Sequence, residues 1–286
     1  MPFTGVMSAH LPRYRTFASL LALAGCTSFD SEVEAPGYDV EVVANGIALA
    51  DGIAFHPSGA LLATEEYRGG GVVRIDPISG SFTHIVRNLS NPDNLLVVGT
   101  DIYLTEEDPL GRILKIDARE RMTTFASGLA SPEGLDLGPD GHLYVAEHAP
   151  NGKVYRYSLA GERTTVGSAS EGEGLRVLDD GSVIVAETIA GRVSRFAPDG
   201  AKSSVAENLN APDGIAYDRA RARLLVTEDA APGRLLAIAL DSNAVSVIAT
   251  GLDKPQTMLI EQDGSILLSE QGEDRILRLR PLDATP

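Results

Sequence analysis

The sequence predicts an all-β fold for residues 38–286, a six-bladed β-propeller with four antiparallel strands per blade. One template recurs six times, opening at Asp51-Gly52-Ile53, Asp93-Asn94-Leu95, Glu133-Gly134-Leu135, Glu173-Gly174-Leu175, Asp213-Gly214-Ile215 and Gln256-Thr257-Met258, at spacings of 42, 40, 40, 40 and 43 residues. Within a unit the apolar residues alternate with period two, as in Leu143-Tyr144-Val145-Ala146-Glu147, and no segment carries a convincing helical pattern. The 29 Gly and 16 Pro suit a chain of short turns, and the lack of any Trp argues against a WD40 array.

Taken in chain order, residues 1–25 read as a bacterial lipoprotein signal peptide. Arg13 and Arg15 supply a positive start, 17–24 are apolar, and Leu23-Ala24-Gly25-Cys26 resembles a lipobox. Cys26 is the only cysteine and cannot staple the fold, so it is the expected lipidation site. Residues 26–37 are expected to form a lipidated tether without contacts to the fold. Each repeat then runs through an apolar strand and a turn such as Pro139-Asp140-Gly141. A second strand ends in Thr-Glu, Ala-Glu or Ser-Glu, and a third and a weaker fourth follow. The sixth unit stops after its third strand, at 275–280. Residues 38–44 resemble the fourth strand at 245–251, so the N-terminal strand is expected to close the last blade and protect its edge.

Forty acidic against 24 basic residues give a net charge of −16, which argues against nucleic-acid binding and favours a cationic partner. The acids fall into two rings at one end of the propeller. Asp51, Asp93, Glu133, Glu173 and Asp213, with Gln256, open the first strands; Glu65, Glu106, Glu147, Glu187, Glu228 and Glu270 end the second strands. In five blades the second ring has a base at fixed offset (Arg112, Lys153, Arg192, Arg234, Arg275), which predicts cross-hairpin ion pairs; Arg68 could serve Glu65. The first ring has no such partners. Acids about 10 Å apart at an effective dielectric of about 20 repel by roughly 1.7 kcal/mol per pair. Five around one axis would oppose folding on the scale of a domain's whole stability, roughly 5–15 kcal/mol. One divalent cation relieves this, and an all-oxygen set suits Ca²⁺ best, with Mg²⁺ or Mn²⁺ next. Capping or turn roles are the plainer alternative. His56 and His142 fall near turns at the far end. His148 reads first as a solvated loop residue and second as a site residue, and Gly69-Gly70-Gly71 as a flexible loop.

The repeat Pro-(Asp/Glu)-Gly-(Ile/Leu), Asp-Gly, Val-Ala-Glu, Gly-Arg-Val resembles the superfamily of the senescence-marker protein, gluconolactonase and luciferin-regenerating enzyme. It is also similar to virginiamycin B lyase and to NHL repeats. The resemblance to the lactonases implies one divalent metal at the channel mouth, held by Asp51, Glu133, Glu173 and Asp213. Asp213, within Pro212-Asp213-Gly214, matches directly, whereas Glu133 and Glu173 stand where the lactonases have Asn. Of the lyase's site residues only Glu270 is matched, with Lys254 and Gln256 in place of the others. The resulting expectation is a metal-dependent hydrolase of a lactone or related cyclic ester, with Asp213 as metal ligand or general base. Asp93, Gln256 and His148 would face the substrate or form an outer shell, and the loops 66–71 and 148–152 would shape the mouth. A lyase using the same metal and a non-catalytic envelope binding propeller are the alternatives. The expected setting is the bacterial cell envelope, as a monomer held to the membrane only by its lipid, acting on a small molecule.

Overall fold

The computed structural model describes residues 33–282; the signal peptide and Cys26 lie outside these. The described residues fall in one compact unit. Twenty-four strands form six four-stranded antiparallel sheets, at residues 50–86, 92–129, 132–168, 172–207, 212–252 and, for the sixth, 255–281 with 38–45. We number these blades one to six. Among the described residues the only helical pieces are the 3₁₀ turns Arg219–Arg221 and Gln271–Glu273. The hairpin between first and second strands turns on a glycine at positive φ in five blades (Gly59, Gly99, Gly141, Gly181, Gly264), a conformation glycine adopts without steric cost.

The closure inferred from the sequence is present. Strand Tyr38–Asn45 pairs antiparallel with Arg275–Pro281, from Tyr38 opposite Pro281 to Asn45 opposite Arg275, with one register shift between Val42 and Ala44. The chain before it departs from the expected free tether. Glu34 exchanges two backbone hydrogen bonds with Thr250, at 3.0 and 2.9 Å, and Val33 and Ala35 pack against the apolar cluster between blades five and six. These residues extend the outer edge of blade five.

The core is six clusters, each between two neighbouring blades. Tyr103, Ile113 and Leu129 of blade two meet Leu135, Val145 and Tyr157 of blade three, for example. Burial therefore glues blade to blade around the ring and leaves the axis to polar residues.

Candidate functional site

The first strand of every blade carries a register shift at the repeat's signature dipeptide, between Ala50 and Ile53, Pro92 and Leu95, Pro132 and Leu135, Gly172 and Leu175, Pro212 and Ile215, and Pro255 and Met258. A bulge re-aims a side chain, and here it turns the acid of five blades, and Gln256 of the sixth, towards the axis. The glycine after the acid has a steric cause. A Cβ on Gly134 would lie 2.1 Å from the carbonyl oxygen of Glu173, and one on Gly174 the same distance from that of Asp213. In blades one, three, four and five the inner strand thus packs directly on the backbone of the next blade's first-ring residue. In other blades a hydroxyl just before the second-strand glutamate fixes the equivalent carbonyl: Thr105 donates to Glu133 O at 3.0 Å and Thr227 to Gln256 O at 2.8 Å.

The second-strand glutamates form the supporting ring that the sequence suggested, with two corrections. Glu187 binds Arg192 and Lys202, each at 2.7 Å, and Glu270 binds Arg275 at 2.5 Å; Glu106 and Glu228 bind Arg112 and Arg234. Glu147 instead accepts the Lys153 backbone N–H at 3.0 Å, because the Lys153 ammonium reaches Ser168 at 2.8 Å. Glu65 is served not by Arg68, which pairs with Asp108 at 2.9 Å, but by His84 of the fourth strand at 2.7 Å. In five blades the same carboxylate also accepts a backbone N–H from the loop leading into the first strand: Ser90, Ala130, Ser170, Asn210 or Asp253, at 2.7–3.1 Å. This ring holds the loops that present the first ring.

All six first-strand residues, Asp51, Asp93, Glu133, Glu173, Asp213 and Gln256, line one axial cavity of about 210 Å³. That is room for several waters or a small ligand. Sequence reasoning missed a third set in the same cavity: Glu66, Glu107, Asp229 and Gln271, each directly after a second-strand glutamate, as His148 is. Eight carboxylates thus line the cavity with one imidazole, two amides and no Lys or Arg. His148 is no solvated loop residue; its Nδ1 lies 2.6 Å from Glu133 and 3.2 Å from Glu173. Nor is Gly69-Gly70-Gly71 a loose loop, since a Cβ on Gly70 would lie 1.9 Å from Glu65 O and one on Gly71 2.2 Å from Val86 O.

Burial, followed by the charges of neighbouring acids, pushes the carboxyls of Asp51, Asp93, Glu133 and Asp213 well above the ordinary range. Glu173 is pushed up to about 8, mainly by burial and against a hydrogen bond from Thr188. Its Oε2 is buried without a hydrogen-bond partner, and so is Oδ1 of Asp229. The ligand set expected from the resemblance does not fall into one tight group. Asp51 gathers with Glu66 and Asp93, and Glu133 gathers with Glu107 and His148, each trio offering one donor atom per residue within 4.8 Å. Glu173 stands beside the second trio through His148.

Comparison with known proteins agrees with this architecture. Residues 89–212 match the SMP-30/Gluconolactonase/LRE-like region. The match covers blades two to four with their linkers, under half of the chain. No curated protein matches in sequence. Among solved structures, a gluconolactonase from Xanthomonas campestris is similar at a TM-score of 0.73 and 14% identity, over 85% of this chain and 89% of that one. A putative oxidoreductase (glucose dehydrogenase) from Thermus thermophilus aligns at 0.70 and 17%, over 85% and 100%. Virginiamycin B lyase from Staphylococcus aureus aligns at 0.62 and 14%, over 87% and 99%. At these identities the shared property is the propeller fold.

Proposed function

We propose that the protein is a divalent-cation-dependent hydrolase of a lactone or related small cyclic ester, working at the axial cavity. The observation that carries this reading is the lining itself: eight carboxylates converge with no Lys or Arg among them, and a buried oxygen of Glu173 lacks a partner. That donor set fits a hard cation, Ca²⁺ before Mg²⁺ or Mn²⁺, with Asp51, Glu66 and Asp93 close enough together to hold it and Glu133, Glu173 and Asp213 lining the rest of the cavity. A bound cation would polarise the ester carbonyl and acidify an attacking water. Asp213 either holds the cation or accepts the proton of that water, its raised affinity for a proton matching the task of a general base. Gln256 would face the substrate, and His148 is held by Glu133 and Glu173 at the same wall. The one acid shared with the lyase pattern, Glu270, is committed to Arg275 and to the Asp253 N–H, which favours hydrolysis over elimination. The propeller would act on its small-molecule substrate as a monomer in the bacterial cell envelope, tethered by a lipid on Cys26, without nucleic acid.

The test is a panel of γ- and δ-lactones assayed by proton release, with chelator-stripped protein and with Ca²⁺, Mg²⁺ or Mn²⁺ restored. Cation-dependent turnover that disappears in Asp213→Asn supports the reading. Bound cation without turnover of any ester would leave a binding propeller.

A further inference from the structure

Two donor trios in one cavity differ in chemistry. Asp51, Glu66 and Asp93 offer oxygen only, whereas Glu107, Glu133 and His148 offer two carboxylates and a ring nitrogen. We propose that the cavity holds a second cation site, formed by Glu107, Glu133 and His148, which takes a borderline transition ion such as Zn²⁺ while Ca²⁺ takes the oxygen-only end. The inference rests on the reading of the cavity as a cation site, though not on the reaction.

Imidazole nitrogen binds borderline ions in preference to Ca²⁺, which takes oxygen ligands. The supporting contacts are those of a site with oriented ligands. Asn91 donates to one oxygen of Glu107 at 2.6 Å, leaving the other oxygen of that carboxylate for an ion. Glu133 is buried, and its carboxyl takes His148 Nδ1 at 2.6 Å. Donors around a tetrahedral zinc ion stand about 3.3 Å apart. An ion replacing the shared proton would therefore push Glu133 and His148 apart by under an ångström. An independent observation points to the same spot. Glu173 Oε1 lies 3.2 Å from His148 Nδ1, which brings a fourth carboxylate to the edge of the trio, and its other oxygen is buried with no partner.

The two ends are separable by calorimetric titration of the chelator-stripped protein with Zn²⁺ in saturating Ca²⁺, and with Ca²⁺ alone. One Zn²⁺ should bind in the presence of Ca²⁺. His148→Gln should weaken Zn²⁺ at least tenfold and leave Ca²⁺ affinity within about twofold. Asp51→Asn should do the reverse. Thermal melts of each variant establish that the fold survives. Zn²⁺ affinity unchanged in His148→Gln would overturn the inference, since the ion would then sit adventitiously elsewhere. Strict competition between Zn²⁺ and Ca²⁺ for one site would also overturn it. Ca²⁺ binding with no Zn²⁺ binding sinks the second site and leaves the proposed function standing; binding of neither ion sinks both.

Discussion

Two glutamates of blade four, 14 residues apart, should respond oppositely to the same substitution. Glu187 is fully buried; burial works to raise its pKa, but bonds from Arg192, Lys202, Ser194 and the Ser170 N–H bring it down to about 2, against an ordinary 4.5. That difference stabilises the fold by about 3 kcal/mol at neutral pH, and the contribution is lost as pH falls from the ordinary value through 2. Glu173 runs the other way. Burial holds it at about 8, so the unfolded chain releases its proton first. Each step of pH between the ordinary value and 8 then favours unfolding, by about 3 kcal/mol at pH 7 without a cation. In chelator-treated protein Glu187→Gln should lower Tm and Glu173→Gln should raise it, each by about 5–10 °C for a chain of this size. At pH 4 the Glu173→Gln gain should vanish, because folded and unfolded chains are then both protonated there. Calorimetric melts at pH 7 and pH 4 in EDTA read this directly. A fall in Tm for both variants at pH 7 would mean that the first ring is not under electrostatic stress.

Other outcomes follow from the same contacts. Gly134→Ala must displace the Glu173 carbonyl, and denaturant melts should show a loss of about 1–3 kcal/mol or more. Deleting residues 38–45 removes the closing strand and should abolish cooperative unfolding, whereas deleting 27–37 should cost less, the Glu34–Thr250 bonds at about 1–3 kcal/mol and the packing of Val33 and Ala35; equal melts for the two would refute closure by Tyr38–Asn45. Cys26→Ser should move the protein from washed membranes to the soluble fraction, and retention in membranes would exclude a lipid on that residue.

The propeller was legible because its repeat is regular. A spacing near 40 residues places the same position of each blade at the same height, so the first-ring acids could be brought to one axis from their numbers alone. The third set escaped notice because its position changes chemistry from blade to blade: Glu66, Glu107, His148, Thr188, Asp229, Gln271. The signal was there, directly after each second-strand glutamate, but as a column of position and not of residue type. The partner of Glu65 was hidden for another reason. His84 comes from the outermost strand, 19 residues on, and reaches inward because Val72 fills the place of the usual base. Lys153 kept the expected offset yet turned outward to Ser168. Which acids come within one ion's reach depends on the width of the channel, and no spacing along the chain encodes that.

The central claim is that the axial acids hold a divalent cation, and calorimetric titration of chelator-stripped protein with Ca²⁺ tests it most directly. Stoichiometric binding, accompanied by a rise in Tm and lost when Asp51 and Asp93 are both changed to Asn, is the expected result. No binding at millimolar Ca²⁺, Mg²⁺ or Mn²⁺, or binding that survives both changes undiminished, would contradict it.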